Sequence, residues 1–277
     1  MLLLRDGRVL AWDEYGDLGG RAVLWFHGAP SCRLEGRLFA EWASANGVRV
    51  IVPDRPGMGR STPSPGATVG SWSSDVVALL DHLGLGRVSV MGGSGGGPYV
   101  LGMAACWPER VDDVVVLAGG GVDPAGRGAS GWVDRVAGWL AWRVPRVLGA
   151  YFSVMRALRR LPVAWVAAVP GVDAGLVALV GPVLSETFAQ GVRGAVADFR
   201  RLGGPWGFGV GEIGVRVLVI QGDVDAFVPV RQARHFAARI PEARLEVVKG
   251  AGHVGVIRDW ERVSVILGWS SERSDGA

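Results

Sequence analysis

The chain has 277 residues, 49% of them hydrophobic and 20% charged, a balance that fits a compact globular fold and excludes disordered, collagen-like and coiled-coil classes. Its formal charge of +3, carried almost wholly by arginine because Lys249 is the one lysine, is too small to imply nucleic-acid binding. Cys32 and Cys106 give neither a disulfide framework nor a C-x-x-C pair, so a stapled secreted fold and a zinc site are unsupported and a reducing cytoplasm is expected.

In chain order, the apolar run from Met1 stops at Arg5, too early for the apolar region of a signal peptide. Strands are expected at Val9–Asp13, Ala22–Phe26, Val48–Val52, Val88–Met91 and Val114–Leu117, several of them apolar at nearly every position, as in a sheet covered on both faces. Val76, Leu79, Leu80 and Leu83 recur at helical spacing, with Ser71, Ser73 and Ser74 ahead of them and Gly84 after, which predicts an amphipathic helix lying on that sheet. From 122 to 210 the pattern is helical, punctuated by Pro145, Pro162, Pro170, Pro182 and Pro205. Strand signals resume at Val215–Ile220 and Leu245–Val248, followed by a helix around Val256–Trp269. This rhythm predicts an α/β fold with a mostly parallel sheet, a core of residues 1–121 and 211–277, and a helical insert at 122–210. Leu161–Leu184 contains one charge, Asp173, and has the length of a membrane span. Its prolines and glycines at 162, 170, 171, 175, 181 and 182 are expected to cut it into short helices lining a pocket, so no stable span is expected.

The chemistry-bearing signal is Arg87-Val88-Ser89-Val90-Met91-Gly92-Gly93-Ser94-Gly95-Gly96-Gly97-Pro98, a strand running through a glycine-rich turn into a helix. G-x-S-x-G in that setting holds a nucleophilic serine on a sharp turn, with Gly92 and Gly96 small enough for strand and helix to approach. A phosphate-binding loop is the competing reading, but the Lys and Ser/Thr of a P-loop are absent and no dinucleotide fingerprint is complete. A serine hydroxyl needs a base, and the base a carboxylate to hold its tautomer. Of four histidines, His82 and His235 read as helix-face residues and His27 as structural, whereas His253 follows the last strand in a glycine-flanked loop. For the acid, Asp225 competes with Asp223, which suits an Asx turn, and with Asp123; the order Ser94, Asp225, His253 favours Asp225.

These motifs resemble those of a lid-bearing α/β-hydrolase, and the resemblance extends over nearly all the chain outside the insert. Leu24-Trp25-Phe26-His27-Gly28-Ala29-Pro30 is similar to the family's H-G-x-P, which implies that the Ala29 and Gly95 amides form the oxyanion hole. Pro53-Asp54-Arg55-Pro56-Gly57-Met58-Gly59-Arg60-Ser61 resembles its D-x-x-G-x-G-x-S loop, and Gly222, Asp225 and Pro229 fall as in G-x-x-D-x-x-x-P. Ser94 departs from the Asp of epoxide and haloalkane enzymes, and Ala29 and Gly95 depart from the pattern of prolyl iminopeptidases.

The resemblance implies that the insert caps the active site. Trp132, Trp139, Trp142 and Trp165 belong either to the cap's own core or to the substrate pocket. Arg143, Arg146, Arg156, Arg159 and Arg160 form either a solvated face or an attractor for an anionic substrate or an acidic carrier protein. The expectation is a cofactor-free, metal-free serine hydrolase acting on an ester, thioester or related acyl bond of a small, largely apolar molecule. A lyase, cyclase or acyl transferase using the same pocket is the alternative, and a small-molecule receptor with a vestigial triad the third reading.

Overall fold

A computed structural model describes residues 1–122, 130–157 and 172–269. Its centre is a seven-stranded sheet of β3 (Trp12–Gly16), β4 (Arg21–Phe26), β5 (Val48–Pro53), β6 (Val88–Gly93), β7 (Val111–Leu117), β8 (Val217–Gly222) and β9 (Ala243–Val248). The order across the sheet is β3-β5-β4-β6-β7-β8-β9, antiparallel at β3–β5 and parallel elsewhere. The strand expected at Val9–Asp13 divides in two. β2 (Val9–Leu10) turns outward to pair with β1 (Leu2–Leu3), and the chain joins the main sheet only from Trp12, as the β3 edge.

β-Branched and aromatic residues fill the central strands, and Val23 to Phe26 and Val114 to Leu117 are buried on both sides. One apolar layer, including Trp72, Leu79, Tyr99, Met103 and Phe236, packs α2 (Val69–His82), α3 (Gly97–Cys106) and α8 (Val230–Arg239) on one face. On the other face Trp25, Phe39 and Trp260 join α1 (Ala40–Ala45) to α10 (Trp260–Leu267), which follows α9 (His253–Arg258). Helix α2 begins earlier than its apolar spacing indicates. The Thr68 hydroxyl accepts from the Ser71 amide at 3.0 Å and Ser71 Oγ from the Thr68 amide at 2.9 Å, so this reciprocal cap starts the helix ahead of the serine cluster.

Between β7 and β8 the described residues form α4 (Trp132–Arg143), α5 (Pro145–Ala157), α6 (Ala174–Thr187) and α7 (Arg193–Leu202). Gly175, Gly181 and Pro182 do not break α6, contrary to the sequence expectation. The Asp173 carboxylate caps its first turn by accepting from Leu176 N at 2.8 Å. Val180 and Leu184 pack with Met58, Phe152 and Phe188, and this tertiary contact carries the helix past one missing backbone hydrogen bond. No helix among the described residues is long and apolar enough to cross a membrane.

Parallel pairing puts the carboxyl ends of successive strands on one edge. Gly93 pairs with Leu117, Leu117 with Ile220 and Gly222 with Val248, so the loops that follow β6, β7, β8 and β9 emerge side by side. β4 and β6 are neighbours although β5 intervenes in the chain, and such a reversal opens a crevice beyond the strand ends.

Candidate active site

Ser94 leaves β6 with φ at +52°, a left-handed conformation that costs a non-glycine residue free energy and that the surrounding backbone must impose. Its carbonyl accepts from Gly120 N at 2.8 Å, beyond the end of β7. Two glycines make the turn possible by close approach. A Cβ on Gly96 would lie 1.9 Å from the Phe26 carbonyl oxygen, and one on Gly92 would lie 2.8 Å from Val100 Cγ2. A Cβ on Gly95 would sit 2.6 Å from Ala29 Cβ and 3.1 Å from Ala29 N, so the elbow and the His27–Pro30 loop are in direct apposition. The Ala29 amide has no hydrogen-bond partner among the described residues.

The loops after β8 and β9 bring Asp225 to His253. The imidazole Nδ1–H donates to Asp225 Oδ2 at 2.8 Å. Gln221 Nε2 donates to the same oxygen at 2.9 Å, while the Phe227 and Val228 amides donate to Oδ1 at 2.8 and 2.9 Å. Burial alone would raise the Asp225 pKa, but His253 and the two amides outweigh it and hold the carboxyl below its usual range. Asp223 turns elsewhere, accepting from Gly250 N at 2.6 Å and so tying the end of β8 to the turn after β9. Asp123 lies outside the described residues.

The His27 loop is gripped from both sides. Buried Arg55 donates to the carbonyls of His27 and, at 2.7 Å, Gly28. The same guanidinium meets Asp198 of α7 at 2.8 Å, with both side chains fully buried, and Tyr99 Oη donates to Asp198 Oδ1 at 2.7 Å. Burial would raise the Asp198 pKa, but Arg55 and Arg201 hold it below the normal carboxylate range. From the opposite side, the Gly28 amide donates to both oxygens of Glu35 at 3.1 Å and Trp25 Nε1 donates to Oε1 at 2.9 Å. Burial and the nearby Arg55 charge depress the His27 pKa well below its usual value, so this imidazole is neutral, and its Nε2 accepts from Arg55 N at 3.4 Å.

Ser94 and His253 share one cavity of about 320 Å³. Its walls are Leu176, Leu179, Val180, Val183 and Leu184 of α6 with Leu38, Val254 and Ile257, and its polar members are Ser31, Glu35 and Arg258. Three of the tryptophans assigned to either the cap's core or the pocket line neither the Ser94 cavity nor a buried core. Trp132, Trp139 and Trp142 are 67, 58 and 51% exposed and line surface grooves with Arg135, Gly203 and Pro205 that include none of Ser94, Asp225 and His253. Helix α4 instead buries Gly138 and Ala141, because a Cβ on Gly138 would lie 3.0 Å from Gly203 Cα and this tight crossing with α7 admits only small residues. Trp165, Arg159 and Arg160 lie outside the described residues.

Two carboxyls near the site carry no motif in the sequence. Asp134, in the first turn of α4, accepts from Gly121 N at 2.8 Å, and burial pushes its pKa up to about 6. Glu35, on a short 3-10 turn after the His27 loop, is the other. Among the described residues no group of three or more His, Cys, Asp or Glu side chains is placed to hold a metal ion.

A family model described as alpha/beta hydrolase fold matches residues 21–259. A 2-hydroxy-6-oxononadienedioate/2-hydroxy-6-oxononatrienedioate hydrolase of Pseudomonas putida is 26% identical over 90% of this chain and 88% of its own length. The dihydrolipoyllysine-residue acetyltransferase component of an acetoin cleaving system, from the same organism, is 36% identical over 43% of this chain but only 32% of its own. Among solved structures, an esterase from Exiguobacterium antarcticum superposes with a TM-score of 0.71 at 19% identity, covering 96% of each chain, which speaks to the fold alone.

Proposed function

This chain belongs to the α/β-hydrolase family and is a hydrolase of that fold. On that premise we propose that it cleaves a carboxylic ester, thioester or related acyl bond of a small, largely apolar molecule through an acyl-enzyme on Ser94. The observation that carries the proposal is a His253 ring locked by Asp225 at 2.8 Å inside the cavity that also holds Ser94. With Nδ1–H given to Asp225, the lone pair of Nε2 is free to take the Ser94 proton as Oγ attacks the carbonyl carbon. The oxyanion then forms against the Ala29 and Gly95 amides, and the Arg55 and Glu35 contacts to Gly28 hold the Ala29 side of that hole before substrate arrives. His253 returns its proton to the leaving group, and water, deprotonated by the same imidazole, releases the acid and regenerates Ser94.

The apolar wall of α6 supports a largely apolar substrate, and the 320 Å³ cavity suits a short or medium chain. In this reading the insert 122–210 acts as a cap through α6, and the α4 tryptophans take no part in binding the substrate.

The test is hydrolysis of nitrophenyl esters of increasing acyl length by wild type and Ser94→Ala. Turnover in the variant should fall by on the order of 10⁴-fold or more. An unchanged rate in the variant would refute the nucleophile assignment. A folded wild-type protein that cleaves no ester would shift the reading to the lyase, cyclase or acyl-transferase alternative.

A further inference from the structure

Glu35 belongs to neither the nucleophile, the base nor its acid, yet its carboxyl lines the cavity with Ser94 and His253. A methyl placed on Gly28 would sit 3.5 Å from Glu35 Oε2 and 3.8 Å from Ser94 Cβ, so the carboxyl and the nucleophile's carbon face the same spot. The acceptor capacity of this group is only partly used. Two carboxylate oxygens offer about four lone-pair sites. The Trp25 indole takes one on Oε1, the single Gly28 proton is shared between the two oxygens, and the Ser31 hydroxyl is a further donor beside the carboxyl. Among the described residues no Arg, Lys or His forms an ion pair with it within 4.0 Å. Ser31, on the same wall, is 5% exposed, and its buried hydroxyl lies beside the Glu35 carboxyl.

An apolar acyl chain entering this space would strip water from the cavity side of Oε2 and return nothing, which is costly for a buried polar atom. Ligand sites of this kind use a few polar groups in an apolar wall to select one substituent. Resting on the acyl-transfer reading above, we propose that Glu35 is a specificity-determining residue that accepts a hydrogen bond from a hydroxyl or amino group on the acyl chain, one or two carbons from the scissile carbonyl. From Ser94 Cβ the path runs through Oγ, the acyl carbon and the next carbon to the substituent, whose proton then meets Oε2. Burial raises the pKa of Glu35 in spite of the Ser31, Trp25 and Gly28 hydrogen bonds and the Arg55 charge, and a donor from the substrate replaces the solvent that binding expels.

The experiment compares phenyl esters of butanoate, 2-hydroxybutanoate, 3-hydroxybutanoate and 2-aminobutanoate on wild type, Glu35→Gln, Glu35→Met and Ser94→Ala, reading kcat/KM for phenol release. Gln keeps one oxygen for Gly28 and Trp25 and turns its NH₂, a donor, toward the cavity. Wild type should prefer at least one substituted ester over butanoate by about tenfold or more. In Glu35→Gln the aminoacyl preference should vanish and the hydroxyacyl preference drop at least threefold, whatever the absolute rate. Glu35→Met should erase both, and if that variant does not fold, Glu35→Gln decides. Equal losses on every ester with unchanged ratios would mean that Glu35 only shapes the loop, and would overturn the proposal; so would a wild type without preference. Retained turnover in Ser94→Ala would instead strike the underlying reading of Ser94, which the ratios do not address.

Discussion

Asp225→Asn is the substitution whose outcome the geometry dictates most closely. Each carboxylate oxygen of Asp225 receives two protons: Oδ1 from the Phe227 and Val228 amides, Oδ2 from His253 and Gln221. Asparagine offers one oxygen and one NH₂, so in either orientation a donor faces two donors. The backbone amides cannot turn away, whereas the His253 ring can exchange tautomers, so the amide oxygen takes the Oδ1 place and the NH₂ faces Nδ1. His253 then carries its proton on Nε2, where it cannot accept one from Ser94. The expected loss in kcat is about 10⁴-fold, or roughly 5 kcal/mol of transition-state stabilisation. Nitrophenyl ester hydrolysis at pH 8 with active-site titration measures it, with a thermal melt to show that the variant is folded. Asp223→Asn, which touches only the Gly250 turn, should stay within about threefold of wild type. A loss below tenfold at Asp225, or an equal loss at Asp223, would refute the tautomer argument.

Asp198→Ala leaves the Arg55 guanidinium buried without its counter-charge and should cost about 3–5 kcal/mol in urea unfolding; under 1 kcal/mol would show that the pair is dispensable. Asp134→Asn should stabilise the protein in a pH-dependent way. With a folded pKa of about 6 against 3.8, the folded state holds a proton that the unfolded chain has lost, so wild-type stability falls as pH rises from about 4 to 6. The variant's advantage should therefore be absent at pH 4, grow across that window and level near 3 kcal/mol at pH 8, and a constant difference across the range would contradict it. Val183→Trp narrows the cavity from the α6 side and should move the preferred acyl length several carbons shorter, whereas Trp139→Ala, on the outer face, should leave the profile where it was.

The catalytic candidates were visible in the sequence because each sits in a short motif written by local backbone demands. Gly92 and Gly96 are required by atoms within a strand and its neighbour, and Asp225 and His253 close their loops within a few residues of strand ends. Residues whose meaning depends on distant partners left no such trace. Asp198 meets Arg55 across 143 positions of chain, and Glu35 gains its role only because its turn folds back over Gly28. The spacing of Trp132, Trp139 and Trp142 showed that residues share a helix but not which side faces inward; the small residues Gly138 and Ala141 settle that through the crossing with Gly203. Pro182 misled in a comparable way, since its local cost is real and is overcome by contacts between α6 and residues as far away as Met58.

The Arg55–Asp198 pair also limits how this protein can diverge. A foreign insert grafted between β7 and β8 would need to present a carboxylate at the height of Asp198, or the guanidinium that grips the His27 and Gly28 carbonyls would stand as a bare charge behind the nucleophile. Wholesale exchange of the insert is therefore a two-part inheritance, in which a loop of the sheet and a helix far along the chain must be handed on together. Leu176, Leu179 and Val183, on the cavity side of α6 and outside its cluster with Met58, carry no such obligation. New substrate ranges are within reach by single changes there, while the machinery beneath stays as it is.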